Sequence, residues 1–250
     1  GRSRSAEMRG HDHPKGAVTM PKSPVTMGRN THSGADGVRV VLWGDSHAAH
    51  LWPGLVRWSG KFSLSQLNLS SCPPFMGFQS TASPNCARVN EHIARKVEEL
   101  DADVVILAAS WTHQKPELIR HGLEATVKRI QHARPRRIIL VGNVPTWRRA
   151  LPGLLGDRIA DGTFRTRDPR GIDPKSTDRS HLVEEVARSL GVEFFSPSSA
   201  VCDAGGCVTT ITTPNGTRLP FAWDYGHLTG EASNLLADRL VGAGLLDVVR

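Results

Sequence analysis

Residues 40–55 read VVLWGDSHAAHLWPGL. An apolar run without one polar residue ends in Gly-Asp-Ser-His, and a helical pattern begins at once. Such a run is what a strand covered on both faces requires. Gly44 permits a tight turn from strand to helix, which sets Ser46 at the start of the helix. There the backbone N–H groups are free and the helix dipole is positive. Ser46 therefore has two readings: a helix cap, which is a common use of serine, or a nucleophile placed where developing negative charge costs less.

Outward from this stretch, strand and helix patterns alternate. The first strand is GVRVVLWG (37–44), and SHAAHLWPGLVRWSG (46–60) follows as a helix despite Pro53. KFSLSQLNL (61–69) has the period of two of a strand, and CARVNEHIARKVEELD (86–101) is an amphipathic helix. ADVVILAAS (102–110) is a third, wholly buried strand, KPELIRHGLEATVKRIQHAR (115–134) a helix and RRIILVGNVP (136–145) a fourth strand. Residues 148–172, rich in Gly, Arg, Asp and Pro, form an excursion. A helix (173–191), a fifth strand VEFFSP (192–197) and a last helix LTGEASNLLADRLVGAG (228–244) complete the chain. The fold class is α/β: a three-layer α/β/α sandwich around a mostly parallel five-stranded sheet. Ligands bind such sheets at the carboxyl ends of the strands. Ser46, Ser71, Trp111 and Asn143 all follow those ends.

With 250 residues, 39% hydrophobic and 22% charged, the chain suits one large domain with a sizeable core. Residues 1–36 are polar and rich in Gly, Pro and Ser; they read as a linker or a surface-packed extension, with the domain at 37–250. No apolar run approaches the ~20 residues that cross a bilayer. The N-terminal segment lacks a signal-peptide core, so any export signal or anchor is expected outside this sequence or not at all. The net charge of +7 fits either a solvated Arg-rich surface or attraction to an anionic partner. The arginines (134, 136, 137, 148, 149, 165, 167 and 170) are scattered and not interleaved with aromatics, so no nucleic-acid partner is expected. The four cysteines form two local pairs, Cys72 with Cys86 and Cys202 with Cys207. Neither pair has the spacing of a zinc site, and no metal is expected. Even number and loop setting favour two disulfides and an oxidising compartment over four reduced thiols.

Near the other end, FAWDYGHLT (221–229) holds Asp224 and His227 three residues apart, just before a helix. On such a turn a carboxylate can reach the imidazole, fix its tautomer and stabilise the imidazolium. The alternative is a helix cap beside a surface histidine. GDS after the first strand and DxxH before the last helix together resemble the SGNH hydrolase superfamily. The likeness runs from about residue 38 to 245 and implies Ser46 as nucleophile, His227 as base and Asp224 as its orienting carboxylate. Typical members place a Gly after the second strand and an Asn after the third as oxyanion donors; here Ser71 and Trp111 stand near those places. The altered pattern is similar to the SGNH domain fused to the C-terminus of acyltransferase-3 membrane proteins. It comprises GDSHA (44–48), CPP (72–74), Trp111, GNVP (142–145) and DYGHLT (224–229).

That resemblance implies an O-acyltransferase, with O-acetyl transfer as the leading case, at the periplasmic or extracellular face of a bacterial membrane. Its acceptor would be a cell-surface or lipid-linked glycan. Its acyl donor would come from the acyltransferase-3 transmembrane domain of the same full-length chain, with no cofactor in this domain. The expected oxyanion donors are the Ser46 N–H, a backbone N–H near Ser71 and, as a third, the Trp111 indole or His113, with Asn143 as a further candidate. Trp111, His113 and Asn143 are candidates for substrate contact, with packing as the alternative for Trp111 and a turn for Asn143. His47 and His50 are expected to turn away from the site. A carbohydrate acetylesterase with the same three residues and a non-catalytic glycan-presenting module are the competing readings.

Overall fold

Val40, Val41, Leu42 and Trp43 send their side chains alternately to opposite faces of an extended segment, and none is more than 1% exposed. Such a strand needs cover on both sides, and the fold supplies it. The structure, a computed structural model, describes residues 37–246. The expected linker at 1–36 lies outside the described residues.

Along the chain run β1 (Val38–Gly44), α1 (Ser46–Ala49), α2 (Trp52–Leu55), β2 (Phe62–Asn68), α3 (Cys86–Glu99), β3 (Val104–Ala108) and α4 (Pro116–Gln131). Then come β4 (Arg137–Val141), α5 (Leu151–Ala160), β5 (Arg167–Asp168), α6 (Pro174–Leu190), β6 (Glu193–Phe195) and α7 (Pro197–Val201). β7 (Cys202–Asp203), β8 (Gly206–Val208), β9 (Thr210–Thr212), β10 (Arg218–Pro220) and α8 (Gly230–Gly242) finish it. Five strands form one sheet in the order β2-β1-β3-β4-β6, each neighbouring pair parallel. This is the α/β fold expected. The order reverses at β1 and β3, the topological switch point where α/β sheets bind ligands. The register sets Gly44 beside Asn68 and Ala108, so three strands end level.

One face of the sheet (Val40, Leu42, Leu64, Ile106) packs on Ala48, Leu51 and Leu55 and on Leu236 and Leu240 of α8. The other (Val41, Trp43, Val105, Leu107) packs on Ile93 and Val97 of α3, Leu123 and Val127 of α4, and Val183 and Val186 of α6. Each fully buried Leu or Val stabilises the fold by about 1.5–3 kcal/mol. Two glycines allow close approaches. A Cβ on Gly44 would come within 1.7 Å of the Ala108 carbonyl oxygen, and one on Gly54 within 2.1 Å of that of Ser233. The second contact lets α2 settle on α8, where the Gly54 N–H donates to Ser233 Oγ at 2.9 Å.

The structure departs from the sequence reading in three places. The helix expected at 46–60 is broken into α1, α2 and a 3-10 turn at Val56–Trp58. Pro53, lacking an N–H, can sit only in the first turn of a helix, so a new helix starts at Trp52. The excursion at 148–172 contains the helix α5. The chain also builds two small antiparallel sheets, β5-β8-β7, in which a strand of the 148–172 excursion joins two beyond β6, and β10-β9.

Both cysteine pairs are disulfides, Cys72–Cys86 and Cys202–Cys207. The scattered basic side chains are largely ion-paired: Arg134 with Asp101 and Asp103, Arg137 with Glu193, Arg167 with Asp203, and Arg158 and Arg170 with Asp168. Among the described residues, no helix is long and apolar enough to cross a membrane.

Candidate active site

Ser46 opens α1 directly beyond β1. The turn that carries it is tied down by Asp45, which is 4% exposed. Asp45 Oδ1 accepts the His47 N–H at 2.8 Å and Oδ2 accepts the Ser110 N–H at 3.0 Å, linking the ends of β1 and β3. Burial pushes the Asp45 carboxyl up to about 6 against these hydrogen bonds. α1 has four residues, so the dipole expected behind Ser46 is that of a single turn.

The loop before α8 reaches over this turn. It is fixed by backbone hydrogen bonds from Trp147 to Tyr225 O (2.7 Å), from Leu151 to Asp224 O (2.9 Å) and from Trp223 to His227 O (3.0 Å). Asp224 Oδ1 accepts the N–H groups of Gly226 (2.8 Å) and His227 (2.7 Å). Asp224 Oδ2 lies 2.7 Å from His227 Nδ1, and His227 Nε2 lies 2.8 Å from Ser46 Oγ. Burial raises the Asp224 carboxyl, but the hydrogen bonds from Gly226 and His227 outweigh it and hold the group below the usual carboxylate range. An ionised Asp224 keeps a proton on Nδ1, which leaves Nε2 free to accept one from Ser46. A hydroxyl from the start of the domain thus joins an imidazole and a carboxylate from its far end in one hydrogen-bonded line.

His47 and His50 do not turn away. With α1 a single turn, the 224–227 loop folds onto it, and the ring of His47 lies 4.5 Å from that of His227. Burial pushes His47 down to about 3, aided by His227, and pushes His50 well below the ordinary histidine range. A neutral His50 accepts the Leu228 N–H on Nδ1 at 3.4 Å, which helps to position the loop.

Trp111 is fully buried. Its indole N–H donates to Val141 O at 2.7 Å and its ring stacks on Phe75 at 5.8 Å. This corrects the expectation of an oxyanion donor or substrate contact: the group is consumed in packing. Asn143 is corrected likewise. It is 2% exposed, accepts the Trp111 N–H at 3.0 Å and donates through Nδ2 to Ser176 O at 3.0 Å. Its role is to clamp the loops after β3 and β4.

Ser71 lies exposed in the loop after β2, in the left-handed conformation (φ 58°), next to the Cys72–Cys86 disulfide. The neighbouring Leu69 N–H is already used by Gly44 O at 3.1 Å. Asn90 braces this loop, donating to Pro73 O and Phe75 O while accepting from the Trp43 indole. His113 is exposed at the rim, edge-on to Tyr225 at 6.0 Å, and Tyr225 is 5.6 Å from His227. Trp223, on which the sequence reading placed no role, stacks on His227 at 5.1 Å and 20°. Its position beside Asp224 was the available signal.

The fold and this constellation define the SGNH hydrolase class. The chain belongs to the family described as the SGNH domain fused to AT3 domains, whose model matches residues 13–242. Among solved structures it is similar to the periplasmic domain of a lipopolysaccharide acetyltransferase from Salmonella ser. Paratyphi A (TM-score 0.75, 23% identity, 84% of each chain covered). It is also similar to an aryl esterase from M. smegmatis (0.54, 16%, 83% of this chain and 98% of that one). A third is Est24, a carbohydrate acetylesterase from Sinorhizobium meliloti (0.51, 18%, 82% and 99%). No curated protein sequence matches the chain.

Proposed function

We propose that this domain transfers an acyl group, in the first instance acetyl, to a hydroxyl of a cell-surface or lipid-linked glycan outside the cytoplasm. The observation that carries the reading is the unbroken line Asp224–His227–Ser46, with contacts of 2.7 and 2.8 Å, within a family fused to membrane AT3 domains. Ser46 Oγ attacks the acyl carbonyl while His227 Nε2 takes its proton. Asp224 supports the imidazolium. The tetrahedral oxyanion is held by the Ser46 N–H and by a backbone N–H of the loop around Ser71. It collapses as His227 returns the proton to the leaving group, and acyl-Ser46 remains. A glycan hydroxyl then gives its proton to His227 and attacks the acyl carbon; the bond to Ser46 Oγ breaks, His227 returns the proton to that oxygen, and the new ester leaves with both residues restored.

The AT3 domain of the full-length protein delivers the acyl donor, and no cofactor takes part in this domain. The two disulfides and the AT3 fusion support a periplasmic or otherwise extracytoplasmic location. Water in place of the glycan would make the same machinery an acetylesterase. Incubation with an aryl acetate, with and without glycan acceptors, separates the two. Acetylated glycan is the expected product; release of free acetate alone, whatever acceptor is present, would sink transfer. A glycan-presenting module without catalysis would show no Ser46-dependent turnover.

A further inference from the structure

Trp223 is 46% exposed, a large apolar surface left in solvent. The other exposed large apolar side chains among the described residues, Leu118 and Ile159, lie on α4 and α5. Trp223 borders the reacting groups: one face of its indole covers the imidazole of His227 at 5.1 Å, 20° from parallel. Its backbone is held by the bond to His227 O and by the bridge between Ala222 and Leu228. The indole is thus presented by a fixed loop, with its outer face open.

We propose that this outer face is the platform for a sugar ring of the acceptor, specifically the unit next to the one acylated. The inference rests on the glycan-transfer reading above. The C–H face of a pyranose is apolar and carries partial positive charge on its hydrogens, which suits the negative face of an indole. Polar groups stand nearby for its hydroxyls: the exposed His113 imidazole and the phenol of Tyr225, which faces both His113 and His227. Spacing assigns the unit. A ring stacked outside Trp223 would sit a further stacking distance of about 5 Å beyond the 5.1 Å that separates Trp223 from His227. Its own hydroxyls would be too far to lose a proton to His227, whereas a linked neighbour would reach. The platform therefore favours glycan chains over single sugars.

Binding can be read without turnover. Trp43, Trp52, Trp111 and Trp147 are buried, so in the 250-residue chain carrying Ser46→Ala and Trp58→Phe, quenching of indole fluorescence by acrylamide reports chiefly on Trp223. The probes are tetrasaccharides of glucose, mannose, galactose, rhamnose and N-acetylglucosamine, each beside its monosaccharide. At least one tetrasaccharide should protect the indole at concentrations where its monomer does not. By calorimetry its affinity should fall about tenfold on adding Trp223→Ala, with thermal melting reporting that the variant is folded. No protection by any probe, or an affinity unchanged by Trp223→Ala, would overturn the platform. Protection already complete without saccharide would assign the indole to a protein contact and overturn it equally. Acylation of Ser46 plays no part in this readout, so a failure of the platform is distinguishable from a failure of the transfer chemistry.

Discussion

His227 lies between two rings with different surroundings, His47 buried at 4.5 Å and Trp223 exposed at 5.1 Å. Its own partners could be named in advance because few residue types serve as nucleophile, base and orienting carboxylate, and because each fell at the end of a legible strand or the start of a legible helix. The flanking rings were hidden, since stacking and exposure depend on where a loop folds back. Asp224→Asn keeps the shape but favours the wrong imidazole tautomer; kcat for an aryl acetate should drop about 10⁴-fold with the fold intact. His47 sets a second expectation. It is held neutral to about pH 3 in the native state but protonates near its ordinary value of 6.5 when unfolded. The unfolded state therefore binds more protons between these limits, and stability falls as pH drops from 6.5 towards 3, by about 1.4 kcal/mol per unit for one such group. His50 adds to this fall. Asp45, raised to about 6, opposes it between pH 3.8 and 6, because there the native state holds the extra proton. Urea unfolding across pH 4–7 should show stability declining on acidification, and His47→Gln should flatten the slope.

Single elements explain where the site gets its rigidity. The loop after β2 is closed by Cys72–Cys86, 14 residues apart, and constraining a loop of that length in the unfolded chain stabilises by about 3 kcal/mol. The double variant Cys72→Ala/Cys86→Ala should lose stability of that order in denaturant titration and also lower acyl transfer, because the loop that holds Ser71 loosens. Gly54→Ala would drive a methyl group into Ser233 O and push α2 from α8; a loss of about 1–3 kcal/mol is expected by the same titration. α5 was missed because Pro152, Gly153 and Gly156 read as a loop, although Leu151, Leu155 and Arg158 already recur at the helical spacing and are the buried residues. The same reasoning covers Asn143: GNVP looks like a turn, and only its hydrogen bonds with Trp111 and Ser176 reveal a clamp.

For the molecule as a whole, the parallel sheet was legible because β1, β3 and β4 are near-continuous apolar runs, as strands buried on both faces must be. The two small antiparallel sheets were not, since strands of two or three residues are too short to show a period. The level ends of β1 and β3 hold Ser46 where His227 can take its proton. The most direct test is the intact mass of the chain after brief exposure to p-nitrophenyl acetate. One acetyl adduct is expected, mapped to Ser46 and absent in Ser46→Ala and His227→Ala. An unmodified Ser46, with nitrophenol released equally fast by wild type and Ser46→Ala, would contradict it.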